Sequence, residues 1–408
     1  MEPKHKIYII GAGVSGLIAA YELEQMGYHP IIIEQTAEVG GRVKTIQEKG
    51  YALDLGFQVL LSAYPLAKKY LDMDQLQLNK LESGAFIYAN NKSYLIGDPL
   101  RNWKILIPTL MSDIGSIADK LKILKLNIQL KFKSLDKIFA SPEKTTLEYL
   151  VECGFSSKII ERFFKPFFTG IFLEPDLSTS SRMFEFVYKM FGEGYATIPE
   201  LGIGAITKQL QSKLHHTEFM FNCGVKEVTN NQILLQSGET IAHKGVIIAS
   251  SPASLLPGHK SPTIAWKKCM CLYFEVNQTN IPANTIALIA DAGNYTNNLY
   301  AYTDAATGKT ILSATTVQQK EPSIEKIIEK VIMEVQQYTG ASLVHYIQHY
   351  EINFALPDIK DIKMTALPSN SKVLENVFVA GDYLFNGSLN AAMESGRLAA
   401  LGIAETQR

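Results

Sequence analysis

Three glycines and one glutamate near the start of the chain have the types and spacing that bind a dinucleotide. Gly11, Gly13 and Gly16 fit the pattern of a phosphate-binding turn. The first glycine permits a tight turn, the second lets backbone N–H groups approach a pyrophosphate, and the third lets a helix pack closely on a strand. Glu34 follows 18 residues after Gly16. A carboxylate there accepts hydrogen bonds from a ribose diol and repels a 2′-phosphate, so the pattern predicts a dinucleotide without that phosphate.

The elements that must position these residues are two strands and the helix between them. Residues 6–10 and 30–34 are short apolar runs, and residues 17–26 have the pattern of a helix that ends before Gly27. Two buried strands joined by one helix indicate a parallel βαβ unit. Val14 and Ser15 open the helix, so we expect their backbone amides to face the phosphates.

A second glycine pair extends the site and selects between dinucleotides. Gly40 and Gly41 allow the backbone to fold over the ligand, and Arg42 can reach its phosphates or a flavin. Plain NAD-dependent dehydrogenases lack this extension. The sequence therefore predicts FAD, with an NAD-dependent dehydrogenase as a less favoured interpretation.

With these residues in place, the chain resembles the flavin amine oxidase superfamily, which includes monoamine and polyamine oxidases, protoporphyrinogen oxidase and phytoene desaturases. The resemblance implies an α/β fold that is amine-oxidase-like: a Rossmann-like FAD-binding domain with a parallel sheet and an inserted mixed α+β substrate domain. It also implies further FAD contacts beneath the flavin ring, at the adenine and in a closing motif, namely Asp54, Gly56, Val225, Gly381, Asp382, Ser388, Leu389 and Asn390. The helix that begins near Leu389 would aim its N-terminal amides at the flavin N1/O2 edge.

The strand-like runs 245–249 and 377–382 belong to the same nucleotide-binding unit by this reasoning, whereas the segments between them differ in character. We assign residues 1–85, 205–258 and 355–408 to a discontinuous FAD-binding domain. Residues 86–204 and 259–354 form the substrate-binding domain. Within the second piece, apolar spacing predicts a helix over residues 324–338, capped by Ser323 and ended by Gly340.

A flavin carries its own redox chemistry, so few catalytic side chains are expected, and none is assigned. The four cysteines are scattered and form no CxxC pair, so no metal site is expected. No cysteine follows Cys271, which excludes the C-terminal cysteinyl attachment known in some relatives and predicts noncovalent FAD.

The substrate class follows from one departure from the resemblance. True amine oxidases place an aromatic wall of the flavin site at a position that falls at or next to Ser388. We therefore expect dehydrogenation of an apolar or cyclic small molecule by hydride transfer to flavin N5, desaturase-like or protoporphyrinogen-oxidase-like, with oxygen or another acceptor. Amine oxidation with oxygen is the second interpretation. A non-catalytic escort protein that binds prenyl or other lipid groups on the same fold is the alternative from another class.

Composition sets the remaining limits. A net charge of −1 gives no general attraction to nucleic acid, and no run of about 18 apolar residues predicts a spanning helix, so a cytoplasmic location is expected. Residues 101–140 mix lysines with apolar residues at helical spacing. A solvated face over a helical core is the favoured interpretation, and peripheral contact with an anionic membrane is the alternative.

Overall fold

The structure is a computed structural model that describes residues 6–97, 106–256, 264–304, 307–317 and 323–407. Arg101 and Lys104, which belong to the basic stretch 101–140, lie outside these ranges. The helices of the described residues are α1 (Val14–Gln25), α2 (Pro65–Tyr70), α3 (Leu106–Met111), α4 (Ile117–Phe132), α5 (Leu135–Phe139), α6 (Thr146–Glu152), α7 (Ser157–Ile159), α8 (Lys165–Phe172), α9 (Ser181–Glu193), α10 (Ala205–Ser212), α11 (Ile324–Thr339) and α12 (Leu389–Thr406).

A parallel sheet forms the nucleotide-binding layer. Its strands, in spatial order, are β10 (Glu218–Met220), β2 (Ile31–Ile33), β1 (Tyr8–Ile10), β14 (Val246–Ile248), β21 (Val377–Val379) and β20 (Lys372–Leu374). All neighbours pair in parallel except β20, which runs antiparallel on β21. β1, β2, β14 and β21 are nearly all isoleucine and valine because both faces of the sheet are covered: one packs against α1 and α12, and the other packs against a small sheet that includes Val228, Ile233 and Leu235. The predicted Rossmann-like sheet is confirmed.

A second, mostly antiparallel sheet is built from later and intervening segments. Its strands, in spatial order, are β19 (Val344–Pro357), β15 (Trp266–Val276), β18 (Thr310–Val317), β17 (Thr296–Thr303), β16 (Ile286–Ile289), β7 (Gly84–Ala89) and β8 (Lys92–Gly97). Only the β16–β7 pair within it is parallel. Since β19 extends from residue 344 to residue 357, it crosses the predicted domain boundary at 355. The division into domains stays a prediction.

Three small sheets accompany the two large sheets in the described ranges. They are β3 (Thr45–Glu48) with β4 (Tyr51–Asp54), β5 (Leu60–Leu61) with β9 (Ala196–Pro199) and β6 (Leu78–Lys80), and β11 (Val225–Val228) with β12 (Gln232–Leu235) and β13 (Thr240–Ala242). The predicted helix over 324–338 is α11: Ser323 Oγ accepts from Lys326 N at 3.3 Å, and Gly340 ends the helix with a φ of 71°.

The first and last helices pack directly on each other. Ser15 Oγ in α1 donates to the Ala392 carbonyl in α12 at 2.9 Å, and Ser395 Oγ accepts from Gly381 N at 2.9 Å. A methyl group on Gly396 would overlap the Ser15 carbonyl. The closing helix is therefore part of the N-terminal unit. No helix of the described ranges is long and apolar enough to cross a bilayer.

Candidate functional site

The carboxyl ends of four parallel strands meet at one edge of the sheet. β1 runs into Gly11, β2 into Glu34, β14 into Ala249 and β21 into Ala380 and Gly381. In open sheets of this kind ligands bind in the crevice outside the carboxyl ends of the strands. The predicted dinucleotide residues from both ends of the chain are therefore brought to one place.

The phosphate turn is packed too tightly for side chains. Gly11 has a φ of 105°, and a methyl group added to it would lie 3.1 Å from the Ala249 carbonyl oxygen. A methyl group on Gly16 would lie 3.2 Å from the Gly11 carbonyl carbon and would overlap its oxygen. Gly13, the N-cap of α1, offers no side-chain cap. The amides of Val14 and Ser15 at this helix start are therefore left for an anion.

The second glycine pair, Gly40 and Gly41, packs against the phosphate-binding turn. Gly40 N donates to the Ala12 carbonyl at 3.0 Å, and Gly40 forms an isolated parallel bridge with Gly13. Gly41 has a φ of 60°, and a methyl group there would lie 3.2 Å from Gly13 Cα. Two backbone segments without side chains thus form one cradle, which is the arrangement that a pyrophosphate needs.

Glu34 lies at the end of β2 with its carboxylate held in place. Its Oε2 accepts from Ala12 N at 2.8 Å, and its Oε1 accepts from Thr36 N and Thr36 Oγ1 at 2.9 and 2.8 Å. An ionised carboxylate has about four lone-pair sites, so capacity for a ribose hydroxyl remains. Cys223 N donates to the Glu34 carbonyl at 2.9 Å. Val225, the predicted adenine contact, follows two residues after Cys223 and therefore lies near Glu34.

Arg42 and Asp382 join the two ends of the chain. Arg42 Nη1 donates to Asp382 Oδ2 at 3.0 Å, Nη2 donates to Oδ1, and the guanidinium lies 5.1 Å from the centroid of the Trp266 ring. The Asp382 side chain is only 4% exposed, whereas that of Arg42 is 40% exposed. Sequence reasoning assigned both residues to FAD but did not predict that they contact each other.

Asp54 is used within the protein. Its Oδ1 accepts from Thr45 Oγ1 at 2.6 Å and from Ile203 N at 3.0 Å, which fixes the loop before α10. Burial raises the pKa of Asp54 to about 6, although these two hydrogen bonds act in the opposite direction. Gly56 has a φ of 85°, and a methyl group there would lie 2.6 Å from Ile352 Cδ1. Contacts of Asp54 and Gly56 with FAD stay predictions.

The closing motif contains polar groups without partners. Ser388 caps α12: its Oγ accepts from Ala391 N at 3.0 Å and donates to Asn386 Oδ1 at 2.7 Å. Asn390, next to Leu389 in the first turn, is fully buried, and its Oδ1 accepts from Leu66 N at 3.0 Å. Within the described ranges, Asn390 Nδ2 and the buried Tyr383 hydroxyl have no hydrogen-bond partner. Both atoms are enclosed by protein atoms, so neither is exposed to a ligand in the open crevice.

Taken together, the side-chain-free cradle, the uncapped start of α1 and the held carboxylate of Glu34 fit a flavin dinucleotide. Gly11, Gly13, Gly40 and Gly41 would face its phosphates. The described residues contain no cluster of three or more histidine, cysteine or acidic side chains that could hold a metal ion.

Sequence reasoning missed an aromatic group beside this site. The ring centroids of Phe57 and Tyr300 are 5.3 Å apart, and Tyr300 stacks on Tyr302 at 5.9 Å. Tyr273 OH donates to the Asp54 carbonyl at 2.8 Å, which connects this part of the second sheet to the segment before Gly56. The alternation of Tyr300 and Tyr302 on one strand was the available signal, whereas Phe57 lies in the loop between β4 and β5 and only the fold brings its ring to Tyr300.

The β15–β19 pair shifts register between Lys267 and Cys269, so Lys268 lies at the irregularity with an exposed side chain. Bulges of this kind redirect side chains and are common near active sites. Lys267 instead donates to Thr179 Oγ1 at 2.9 Å, and burial lowers its pKa. The phenylalanines around α8 and α9 are mainly core: Phe164, Phe168 and Phe184 are fully buried and pack against one another.

Known proteins with similar sequences are matched over part of their length. The chain is 30% identical over 154 residues to the L-amino acid oxidase Cdc18 of Crotalus durissus cumanensis, which covers 37% of this chain and 29% of that protein. It is 27% identical over 170 residues to protoporphyrinogen oxidase 2, chloroplastic/mitochondrial, of Arabidopsis thaliana, which covers 40% of this chain and 32% of that protein. The chain thus spans about a third of the length of these curated relatives.

Comparison of folds extends the likeness to nearly the whole chain. A crystal structure of an oxidoreductase from Methanosarcina mazei matches 98% of this chain and 100% of its own, with a TM-score of 0.75 at 16% identity. The sequence pattern of the family described as flavin containing amine oxidoreductase matches residues 14–404. The protein belongs to the flavin containing amine oxidoreductase family.

Proposed function

We propose that the protein binds FAD noncovalently and dehydrogenates an apolar or cyclic small molecule. When bound, the flavin supplies the hydride acceptor at N5. The residues of this chain hold the phosphates on the cradle of Gly11, Gly13, Gly40 and Gly41, and Glu34 accepts from the ribose. The amides of Val14 and Ser15, at the uncapped start of α1, donate to the phosphates.

The hydrogen bonds of the Ser388 hydroxyl are the observation that supports an apolar or cyclic substrate. Its hydroxyl both accepts and donates in capping α12, so the side chain is fully committed at or next to the position where the resemblance places an aromatic wall in amine oxidases. The ring group of Phe57, Tyr300 and Tyr302 provides an apolar surface nearby. Asp54, the acidic group beside it, is held by Thr45 and by a backbone amide, which leaves it poorly placed to receive an ammonium group. Protoporphyrinogen oxidase 2, one of the matched relatives, carries a name that agrees with a cyclic substrate.

Amine oxidation is the second candidate, and the matched L-amino acid oxidase is the observation that favours it. The two candidates differ in what reduces the flavin. We would mix the flavin-loaded protein anaerobically with porphyrinogens, cyclic alkenes and polyenes, and separately with primary amines and L-amino acids, and follow loss of the visible flavin absorption. Bleaching by the apolar group alone is the expected result, and bleaching by amines alone contradicts the proposal.

The same preparation separates an enzyme from a non-catalytic lipid escort. FAD released by heat or acid, in about one equivalent per chain, is expected for the enzyme and also shows that attachment is noncovalent. A colourless protein without releasable FAD contradicts the proposal. Oxygen consumption after reduction then distinguishes oxygen from another electron acceptor.

A pair of variants tests the aromatic surface. Phe57→Leu is expected to raise KM for the apolar substrate while FAD content stays unchanged, because the ring contacts Tyr300 at the site. Phe86→Leu is the matched control: Phe86 is also partly buried, and it packs edge-on against Tyr88 in a different cluster. Equal KM values for the two variants would contradict the role of Phe57.

A further inference from the structure

The outward face of α4 carries a row of apolar side chains. Its members, which we call the α4 stripe, are Ile117, Leu121, Leu124, Ile128 and Phe132, with exposed fractions of 69%, 63%, 37%, 50% and 81%. With roughly 100° of rotation per residue, their spacing places all five within an arc of about 80°. Leu126 and Leu130 lie on the opposite side of the helix and are buried. The stripe therefore points away from the core along a helix about 23 Å long.

The direction of these side chains separates the two interpretations of residues 101–140. A solvated helical face requires the apolar residues to pack inward, as Ile114 and Leu126 do. The stripe faces outward instead, and so do Ile107 and Met111 of the preceding helix α3, which are 66% and 81% exposed. A soluble monomer rarely exposes a contiguous apolar surface of this kind without a partner for it.

Lysines border the stripe on both sides. At the same rotation per residue, Lys125 lies on one flank of the row, and Lys120 and Lys131 lie on the other. Within the described ranges no carboxylate lies at ion-pair distance from Lys125 or Lys131. The only acidic residue of α4, Asp119, is buried and caps the helix through Ser116.

The charge of α4 is opposite to that of the chain. The helix has four lysines and one aspartate, whereas the whole chain has 39 basic and 40 acidic residues. A positive charge is thus concentrated beside the exposed apolar row. This combination matches a surface that offers both anionic groups and an apolar interior.

We propose that the α4 stripe docks the protein on an anionic lipid surface. The apolar side chains would enter the boundary between headgroups and acyl chains, as those of interfacial helices do. The long stems of Lys125 and Lys131 would follow that apolar surface while their ammonium groups reach the headgroup phosphates. Phe132 would lie at the C-terminal end of the row, where its ring adds a large apolar area.

A second copy of the chain fits the stripe less well. A twofold interface places the same patch of both subunits together, so the lysine flanks would meet lysine flanks. The core of protein interfaces is depleted in lysine, and a stable interface uses roughly 20–30 residues on each side. A single row on one helix, bordered by Lys125 and Lys131 without a carboxylate at ion-pair distance within the described ranges, lacks these properties.

Flotation of the full-length, flavin-loaded protein with vesicles tests the proposal. The vesicles are phosphatidylcholine alone or phosphatidylcholine with phosphatidylglycerol, in low salt and in high salt. The wild-type protein is expected to float with the anionic vesicles in low salt and to be released in high salt, which screens charges over a few ångströms. Lys125→Gln and Lys131→Gln are each expected to weaken binding roughly fivefold.

A double variant with a matched control tests the contribution of the apolar side chains. Leu121→Gln/Phe132→Gln is expected to weaken binding roughly tenfold or more, because both side chains leave the lipid boundary. Met333→Gln/Leu343→Gln also replaces two exposed apolar residues with glutamine, but elsewhere on the surface, and is expected to bind like the wild type. Flavin content and circular dichroism verify that each variant folds.

Three results would overturn the proposal. They are a wild-type protein that does not float with anionic vesicles in low salt, a stripe variant that floats as well as its control, and a dimer in sedimentation that the stripe variant abolishes while no vesicle binding occurs. The proposal does not rest on the substrate class, because vesicle binding is measured without turnover. A protein that floats but lacks FAD would refute only the proposed function.

Discussion

Replacing Gly16 with alanine tests how closely α1 approaches the phosphate turn. The added methyl group would lie 3.2 Å from the Gly11 carbonyl carbon, 3.3 Å from Ala249 Cβ, and would overlap the Gly11 oxygen. Favourable contacts of carbon atoms are about 3.5–4.0 Å, so the helix and the turn must separate by roughly 1 Å or more. The turn cannot follow freely, because Gly11 N donates to the Ile33 carbonyl at 2.8 Å.

The expected magnitude is the difference between two terms. Alanine in a helix interior is favoured over glycine by up to about 1 kcal/mol. Overpacking against backbone costs typically about 1–3 kcal/mol and occasionally more, and here both neighbours of the methyl group are held by the sheet. We expect the variant to lose about 2 kcal/mol in free energy of unfolding and to bind FAD more weakly, since the amides of Val14 and Ser15 move with the helix.

Gly192→Ala is the matched control. Gly192 also lies within a helix, α9, but a methyl group there meets nothing within 4 Å. We expect this variant to gain up to about 1 kcal/mol and to keep its FAD affinity. Urea unfolding of the apoprotein, followed by circular dichroism, and fluorescence titration with FAD measure both effects. A Gly16→Ala protein with the stability and FAD affinity of the wild type would refute the packing argument.

Three further substitutions test other contacts of the site. Arg42→Met is expected to lower the free energy of unfolding in urea by about 2–3 kcal/mol, because it leaves the buried Asp382 carboxylate unpaired. The control Lys165→Met breaks an exposed ion pair and should lower it by less than about 0.5 kcal/mol. Equal losses in the two variants would contradict the reasoning. Gly396→Ala, whose methyl group would overlap the Ser15 carbonyl, should weaken FAD binding in the same titration as Gly16→Ala does, and unchanged affinity would argue against a shared site. Asp54→Asn tests pH dependence: burial raises the pKa of Asp54 from 3.8 to about 6, so the contribution of this group to native stability is greatest below about pH 4 and falls as the pH rises to about 6. The unfolding free energy of Asp54→Asn, measured from pH 4 to 7, should rise relative to the wild type by up to about 3 kcal/mol over that range, and a constant difference would show that the Asp54 pKa is not raised.

The sequence predicts the parts of this protein whose signals are local. The strand, glycine turn and helix of residues 6–25 are indicated by neighbouring residues alone, and the same is true of α11 with its Ser323 cap. The Rossmann-like sheet follows because apolar runs of this length and spacing have few other arrangements. Family membership, shown by the match over residues 14–404, agrees with these motifs.

Contacts between residues that are far apart in the sequence could not be predicted from local sequence patterns. Arg42 and Asp382 are 340 positions apart, and no pattern in either segment indicates that they pair with each other. Asp54 binds Ile203 N, 149 positions away, so its carboxylate could be taken for a cofactor ligand from the sequence. The α4 stripe shows a third limit: helical spacing of apolar residues is the same whether they face a core or the outside, and only packing gives the direction.

These long-range contacts make the cofactor site a joint property of the two ends of the chain. The phosphate turn is shaped by Gly11 and Gly16, but the helix that carries Gly16 is held by Ser15 against α12. The same closing helix contributes Ser395, which accepts from Gly381 N next to Asp382. A change in α12 therefore moves the phosphate turn and the Arg42 partner together. For this reason the N-terminal unit alone cannot define the site, although it contains most of the recognisable motif.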